Sequence, residues 1–89
     1  MTVTKTWNIE ILLTEEDGMT LAHAVLHGRP GRVAEASGRA RRNPRDPLLP
    51  EIGDEIAAAR ALSMLVHELL AAAEVDIEAA TDESARVRG

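Results

Sequence analysis

The chain contains no cysteine, which excludes disulfides and thiolate metal sites. It has no phenylalanine, no tyrosine and a single tryptophan. Its core must therefore be built from Leu, Ile, Val, Ala and Met. Such side chains let elements approach closely, but each contributes little, at roughly 25 cal/mol per Å² of buried apolar surface. The 89 residues suffice for one domain with a thin core. Oligomerisation is a common remedy for so small a core. No N-terminal run resembles a signal peptide, and nothing approaches the ~20 apolar residues of a membrane span. The expectation is a cytoplasmic chain that does not engage membranes.

The formal net charge of −5 hides an asymmetry. Residues 29–45 carry Arg29, Arg32, Arg39, Arg41, Arg42 and Arg45 against Glu35 alone, whereas residues 46–83 carry ten acids against Arg60 alone. This bipolar layout serves solubility and internal attraction, or offers a docking surface to an acidic partner.

Along the chain, Trp7, Ile9, Ile11 and Leu13 alternate with Thr6, Asn8, Glu10 and Leu12, a period-2 strand signal. Asp17-Gly18 is a turn signal, and Met19–His27 reads as a second strand. Gly28-Arg29-Pro30-Gly31 breaks the chain before a third strand over Arg32–Arg41. Pro44, Pro47 and Pro50 recur every third residue, which suits an extended polyproline-like linker. A long helix follows over Pro50–Thr81, with Val75–Thr81 as a kinked or separate final turn. Its acids Glu51, Asp54 and Glu55 suit the positive N-terminal dipole. The apolar stripe Ile52, Ile56, Ala59, Leu62, Val66, Leu69, Leu70, Ala73 and Ile77 recurs at about 100° per residue and is assigned to the sheet. These elements predict an α+β domain over residues 5–81. It comprises a three-stranded antiparallel meander with one long C-terminal helix on one face, and residues 82–89 form a disordered tail.

Strand one offers Trp7, Ile9, Ile11 and Leu13 to the core. Strand two has two candidate faces, and the small row Thr20, Ala22, Ala24 and Leu26 is assigned to the helix together with Ala34, Ala36, Gly38 and Ala40 of strand three. The opposite face then carries Leu12, Leu21, Val25 and Val33 beside His23 and His27, a candidate interface.

Candidates for chemistry are few. Ser37, Ser63 and Ser84 sit in no recognised nucleophile context, and no phosphate-cradling glycine loop is present. His23 and His27, four apart on a strand, lie roughly 13 Å from each other and cannot share an ion. His67 lacks a Glu-x-x-His partner. Asp54-Glu55 and Glu15-Glu16-Asp17 lack the pocket that acid–base work requires. No catalytic residue, metal or cofactor is expected. Arg39, Arg41, Arg42 and Arg45 are candidate phosphate contacts, opposed by the acidic total and the absence of interleaved aromatics.

Ile52-Gly53-Asp54-Glu55, then Ala59-Arg60-Ala61-Leu62-Ser63 and Asp76-Ile77-Glu78, with Gly38, Ala40, Pro44 and Asp46 upstream, resemble a small actinobacterial family. That family consists of uncharacterised domains and includes dormancy-associated hypothetical proteins of mycobacteria. The resemblance implies a β-β-β-α domain grouped with double-stranded-RNA-binding-domain-like folds, and it implies no catalytic residues. RNA binders of that fold place basic residues at the start of the final helix, where this chain has Glu51-Ile52-Gly53-Asp54-Glu55. The leading helix of that fold also has no counterpart before Trp7. The expectation is a non-enzymatic domain that forms a homo-oligomer or docks onto a protein partner, in the stress or dormancy setting the resemblance suggests. Nucleic-acid binding through residues 39–45 is the alternative.

Overall fold

A computed structural model describes residues 1–28, 31–43, 45 and 49–88, with the final helix's side chains described as far as Asp82. Strands β1 (Asn8–Glu16), β2 (Met19–His27) and β3 (Arg32–Arg41) form an antiparallel sheet in the order β1-β2-β3, followed by helix α1 (Pro50–Arg88). The β1–β2 hairpin closes in two residues. Asp17 and Gly18 have φ of 51° and 75°, as a type I′ turn requires, and Asp-Gly adopts them readily. That turn fixes the register Glu16↔Met19, which sets Ile9, Ile11 and Leu13 beside Leu26, Ala24 and Ala22 on one face. On the same face β3 supplies Ala34, Ala36, Gly38 and Ala40.

Helix α1 begins at Pro50, whose fixed φ suits the first helical position, and the Leu49 carbonyl accepts the Ile52 N–H at 3.1 Å. The helix lies across β2 and β3, and only marginally reaches β1. It meets the sheet through Gly53, Ala57, Ala61 and Leu65, an i, i+4 row of mostly small residues. The core is correspondingly small: Ala22, Ala24, Leu26, Ala40, Ala57, Ala61 and Leu65, with Thr20 as the buried polar residue beside them.

Three expectations are corrected by this packing. First, the apolar stripe assigned to the sheet faces outward. Ile52, Ile56, Leu62, Val66, Leu70 and Ile77 are all exposed, and of that stripe only Leu69 packs against the core. The sheet rows under the helix are alanine and glycine, so the helix sinks until its backbone meets them, and only its small-residue face fits. Second, Trp7, Ile9 and Leu13 lie on the helix side of the sheet but remain 50%, 49% and 41% exposed, because α1 does not cover β1. Ile11 alone among them reaches the core cluster. Third, α1 shows no separate final turn at Val75–Thr81, and its backbone stays helical through Arg88, where a tail was expected from Asp82. The extended linker at Pro44 and Pro47 lies outside the described residues.

Gly38 controls the helix–sheet distance. A Cβ there would fall 2.7 Å from the Arg60 carbonyl carbon and 2.8 Å from the Ala57 carbonyl oxygen, and would also clash with the Ala61 backbone nitrogen. Those atoms belong to a helix backbone and cannot turn aside. Gly38→Ala is therefore expected to lower unfolding free energy by about 2 kcal/mol, the scale of overpacking a filled core. Urea denaturation checks this, and an unchanged midpoint would refute the close approach.

Candidate functional site

Three surfaces compete for a role. On the outer sheet face, β1, β2 and β3 bring Leu12 opposite His23, and His23 opposite Ser37, while Leu21 and Val25 occupy the flanking rows. Val33 does not join them. A bulge at Leu26/His27 breaks the register there, and Val33 packs against the core cluster instead, beside Trp7 at Gly28. The candidate interface thus reduces to Leu12, Leu21 and Val25 around His23.

A polar chain runs through the middle of that patch. One ring nitrogen of His23, Nδ1, lies 2.8 Å from Ser37 Oγ, and the other, Nε2, lies 3.1 Å from Glu35 Oε2. Arg32 Nη1 donates to Glu35 Oε1 at 3.3 Å. Composition alone shows no Ser-His-Glu grouping, since the three residues meet only through the β2–β3 register Val25↔Glu35 and His23↔Ser37. Acyl transfer needs donors converging on an oxyanion and a site that excludes water. Here the group lies on an open sheet, its imidazole and carboxylate are 42% and 44% exposed, and no described cavity borders it. Its evident work is to tie β2 to β3 on a solvated face. Exposed ties of this kind contribute little, and His23→Ala is expected to change stability by no more than about 1 kcal/mol, measured by thermal or urea unfolding.

The basic segment is partly gathered. Arg39 and Arg41 lie opposite Leu21 and Met19 on the outer face of β3. Arg42 follows, with its backbone N–H donating to the Gly18 carbonyl at 2.8 Å. Arg45 is exposed, and its N–H donates to Asn43 Oδ1 at 3.0 Å in a local turn. Arg60, from the helix, donates Nη1 to the Arg39 carbonyl at 2.8 Å and so adds a cation near this strand. Beside the segment, at the start of α1, opens a cavity of about 370 Å³. Leu49, Ile52 and Ile56 give it an apolar wall, and Thr20 lies at its base. Its charges are Glu15 and Asp17 against Arg41 and Arg42, which offset one another and select no ion of one sign. Among the described residues, no three His, Asp or Glu side chains gather as metal ligands would.

The third surface is the outward face of α1, which sequence reasoning saw as a stripe but turned toward the sheet. Val66, Leu70 and Ile77 are 56%, 59% and 64% exposed there. From Ala73 to Asp82 every residue is exposed, whereas Leu69 and Ala72 just before are half-buried. Within Pro50–Asp82 the helix is long and apolar enough, by length and composition, to cross a membrane. This corrects the expectation that nothing approaches such a span. Arg60 and Glu68 divide the run into short uncharged pieces, which conceals how apolar its average is. One side of that stretch, Ala57, Ala61 and Leu65, is occupied by the sheet.

Comparison with known proteins places these features in company. A family model described as Rv2632c-like matches residues 5–86. The chain is similar to the uncharacterized protein Rv2632c of Mycobacterium tuberculosis, at 44% identity over 81 residues that cover 91% of this chain and 86% of the relative. It is similar also to the uncharacterized protein Mb1767 of Mycobacterium bovis, at 43% identity over 81 residues, 91% of this chain and 85% of the relative. The crystal structure of Rv2632c superposes with a TM-score of 0.78 at 42% identity, covering 90% of this chain and 94% of that one.

Proposed function

The chain belongs to the Rv2632c-like family, and from that premise we propose that it is a non-catalytic cytoplasmic domain that works by assembling with further copies of itself. The observation that carries this reading is the outward face of α1, where Ile52, Ile56, Val66, Leu70 and Ile77 stand uncovered while the enclosed core holds two leucines and five alanines. Soluble monomers rarely leave so continuous an apolar stripe in water. The outer sheet face is the weaker candidate, because Leu12, Leu21 and Val25 are interrupted by the His23–Glu35–Arg32 chain and flanked by Glu10 and Arg39. A role in stress or dormancy fits the resemblance noted above and rests on it alone.

Light scattering over a concentration series tests the reading. The unaltered protein is expected to exceed the mass of one chain. Val66→Glu with Leu70→Glu should return it to monomer, since exposed positions on a helix accept Glu without loss of fold. Leu21→Glu with Val25→Glu should leave the mass unchanged. The reverse pattern would transfer the interface to the sheet.

One observation favours a second reading, nucleic-acid binding. Arg39 and Arg41 share one face of β3 and so stand roughly 7 Å apart, close to the spacing of successive phosphates. That reading requires a gel shift at about 50 mM salt that is lost when Arg39, Arg41 and Arg42 are replaced by Ala. No shift at that salt removes it.

A further inference from the structure

Helix α1 is 39 residues long, about 58 Å at 1.5 Å per residue. Strands of nine or ten residues span only about 30 Å, so the helix outruns its sheet. The radius of gyration is 18.3 Å, against about 12 Å for a compact chain of this length. Roughly 15 Å of helix, from Ala73 to Asp82, projects with every residue exposed. An isolated helix of that length is marginal in water. Something must brace it.

Resting on the self-assembly reading, we infer that the occupant is the α1 of a second copy, laid antiparallel along the outward face with its register centred on Glu68. The residues opposite the sheet follow a heptad seam: Ile56, Ala59, Ser63, Val66, Leu70, Ala73, Ile77 and Ala80 alternate at spacings of three and four. With Glu68 at the centre, the outer layers join unlike sizes across the pair, Ile56 with Ala80 and Ala59 with Ile77, while Val66 meets Leu70 and the small pair Ser63 and Ala73 lets the backbones approach. The same register overlaps the two helices nearly end to end. The unsupported C-terminal half of one copy then lies on the sheet-backed N-terminal half of the other, and the antiparallel dipoles attract.

Charge selects this register as well. Arg60 is the one arginine or lysine between Pro50 and Asp82, a stretch otherwise rich in acids, and in this alignment it falls beside Glu74 of the other copy, twice by symmetry. Arg60 spends one N–H on the Arg39 carbonyl and has four more to offer a carboxylate. The sheets lie on the two outer sides, so the assembly is a four-layer β/α/α/β sandwich free of clash between sheets.

The test uses the full chain, whose lack of cysteine makes an introduced pair unambiguous. Ser63→Cys combined with Ala73→Cys is expected to cross-link under mild oxidation into a covalent dimer. Neither single substitution should do so, because in this register position 63 meets 73 and not itself. The two positions lie about 15 Å apart along one helix and cannot bridge within a chain. In the cysteine-free background, Glu74→Arg should weaken the dimer about tenfold, and adding Arg60→Glu should restore it. A dimer that cross-links through either single variant, or ignores the charge exchange, overturns the antiparallel register alone. A monomer at every concentration overturns both the register and the self-assembly reading. A monomer that floats with phosphatidylcholine–phosphatidylglycerol vesicles does the same, and assigns the stripe to lipid.

Discussion

The position of every other part depends on the contact of Gly38 with the backbone of α1 between Ala57 and Ala61. Around that contact, hydrogen and methyl side chains predominate between helix and sheet, with Leu26 and Leu65 as the larger members. The inner rows of β2 and β3 and the inner row of α1 are therefore mostly small. The large apolar residues are consequently displaced to places the helix cannot cover: its own back, and the inner surface of β1. A tightly fitted but thin core and a broad apolar exterior are two results of one constraint.

This constraint explains what the sequence made legible and what it concealed. The three strands and their turns could be read because Asp17-Gly18 and the Gly28–Gly31 break punctuate a clean period of two. The helix-facing rows of β2 and β3 could be read from their small side chains. The helix orientation could not be read from hydrophobic periodicity. That signal weights Ile, Leu and Val above Ala and Gly, and it selected Ile52, Ile56 and Val66 over Gly53, Ala57 and Ala61. The better signal was complementarity, since an alanine–glycine row on a strand calls for an alanine row on the helix. Val33 was hidden for a different reason. A single extra residue at a bulge changes which side its neighbour faces, and nothing in the local pattern marks it.

The candidate sites were legible to a similar extent. Arg39, Arg41 and Arg42 were visible as a cluster because they are close in sequence. The His23, Glu35 and Ser37 group was not, since it exists only through pairing of β2 with β3. That group gives the two sides of the sheet different characters. One side is packed closely against the helix, and the other carries an exposed string of polar contacts. Cationic side chains concentrate on β3 and its end, and carboxylates along α1, so the charge asymmetry of the sequence becomes one of opposite layers.

The placement of the single aromatic side chain has an optical consequence. Trp7 precedes β1 and leans over Gly28, at the far end of the sheet from the β1–β2 turn and from the start of α1, whose Gly53 lies beside Thr20. Its fluorescence therefore reports the local order of the strand ends, while far-ultraviolet circular dichroism is dominated by α1. The two signals sample bodies joined by a small core. Their coincidence or divergence during unfolding measures whether sheet and helix melt as one cooperative unit.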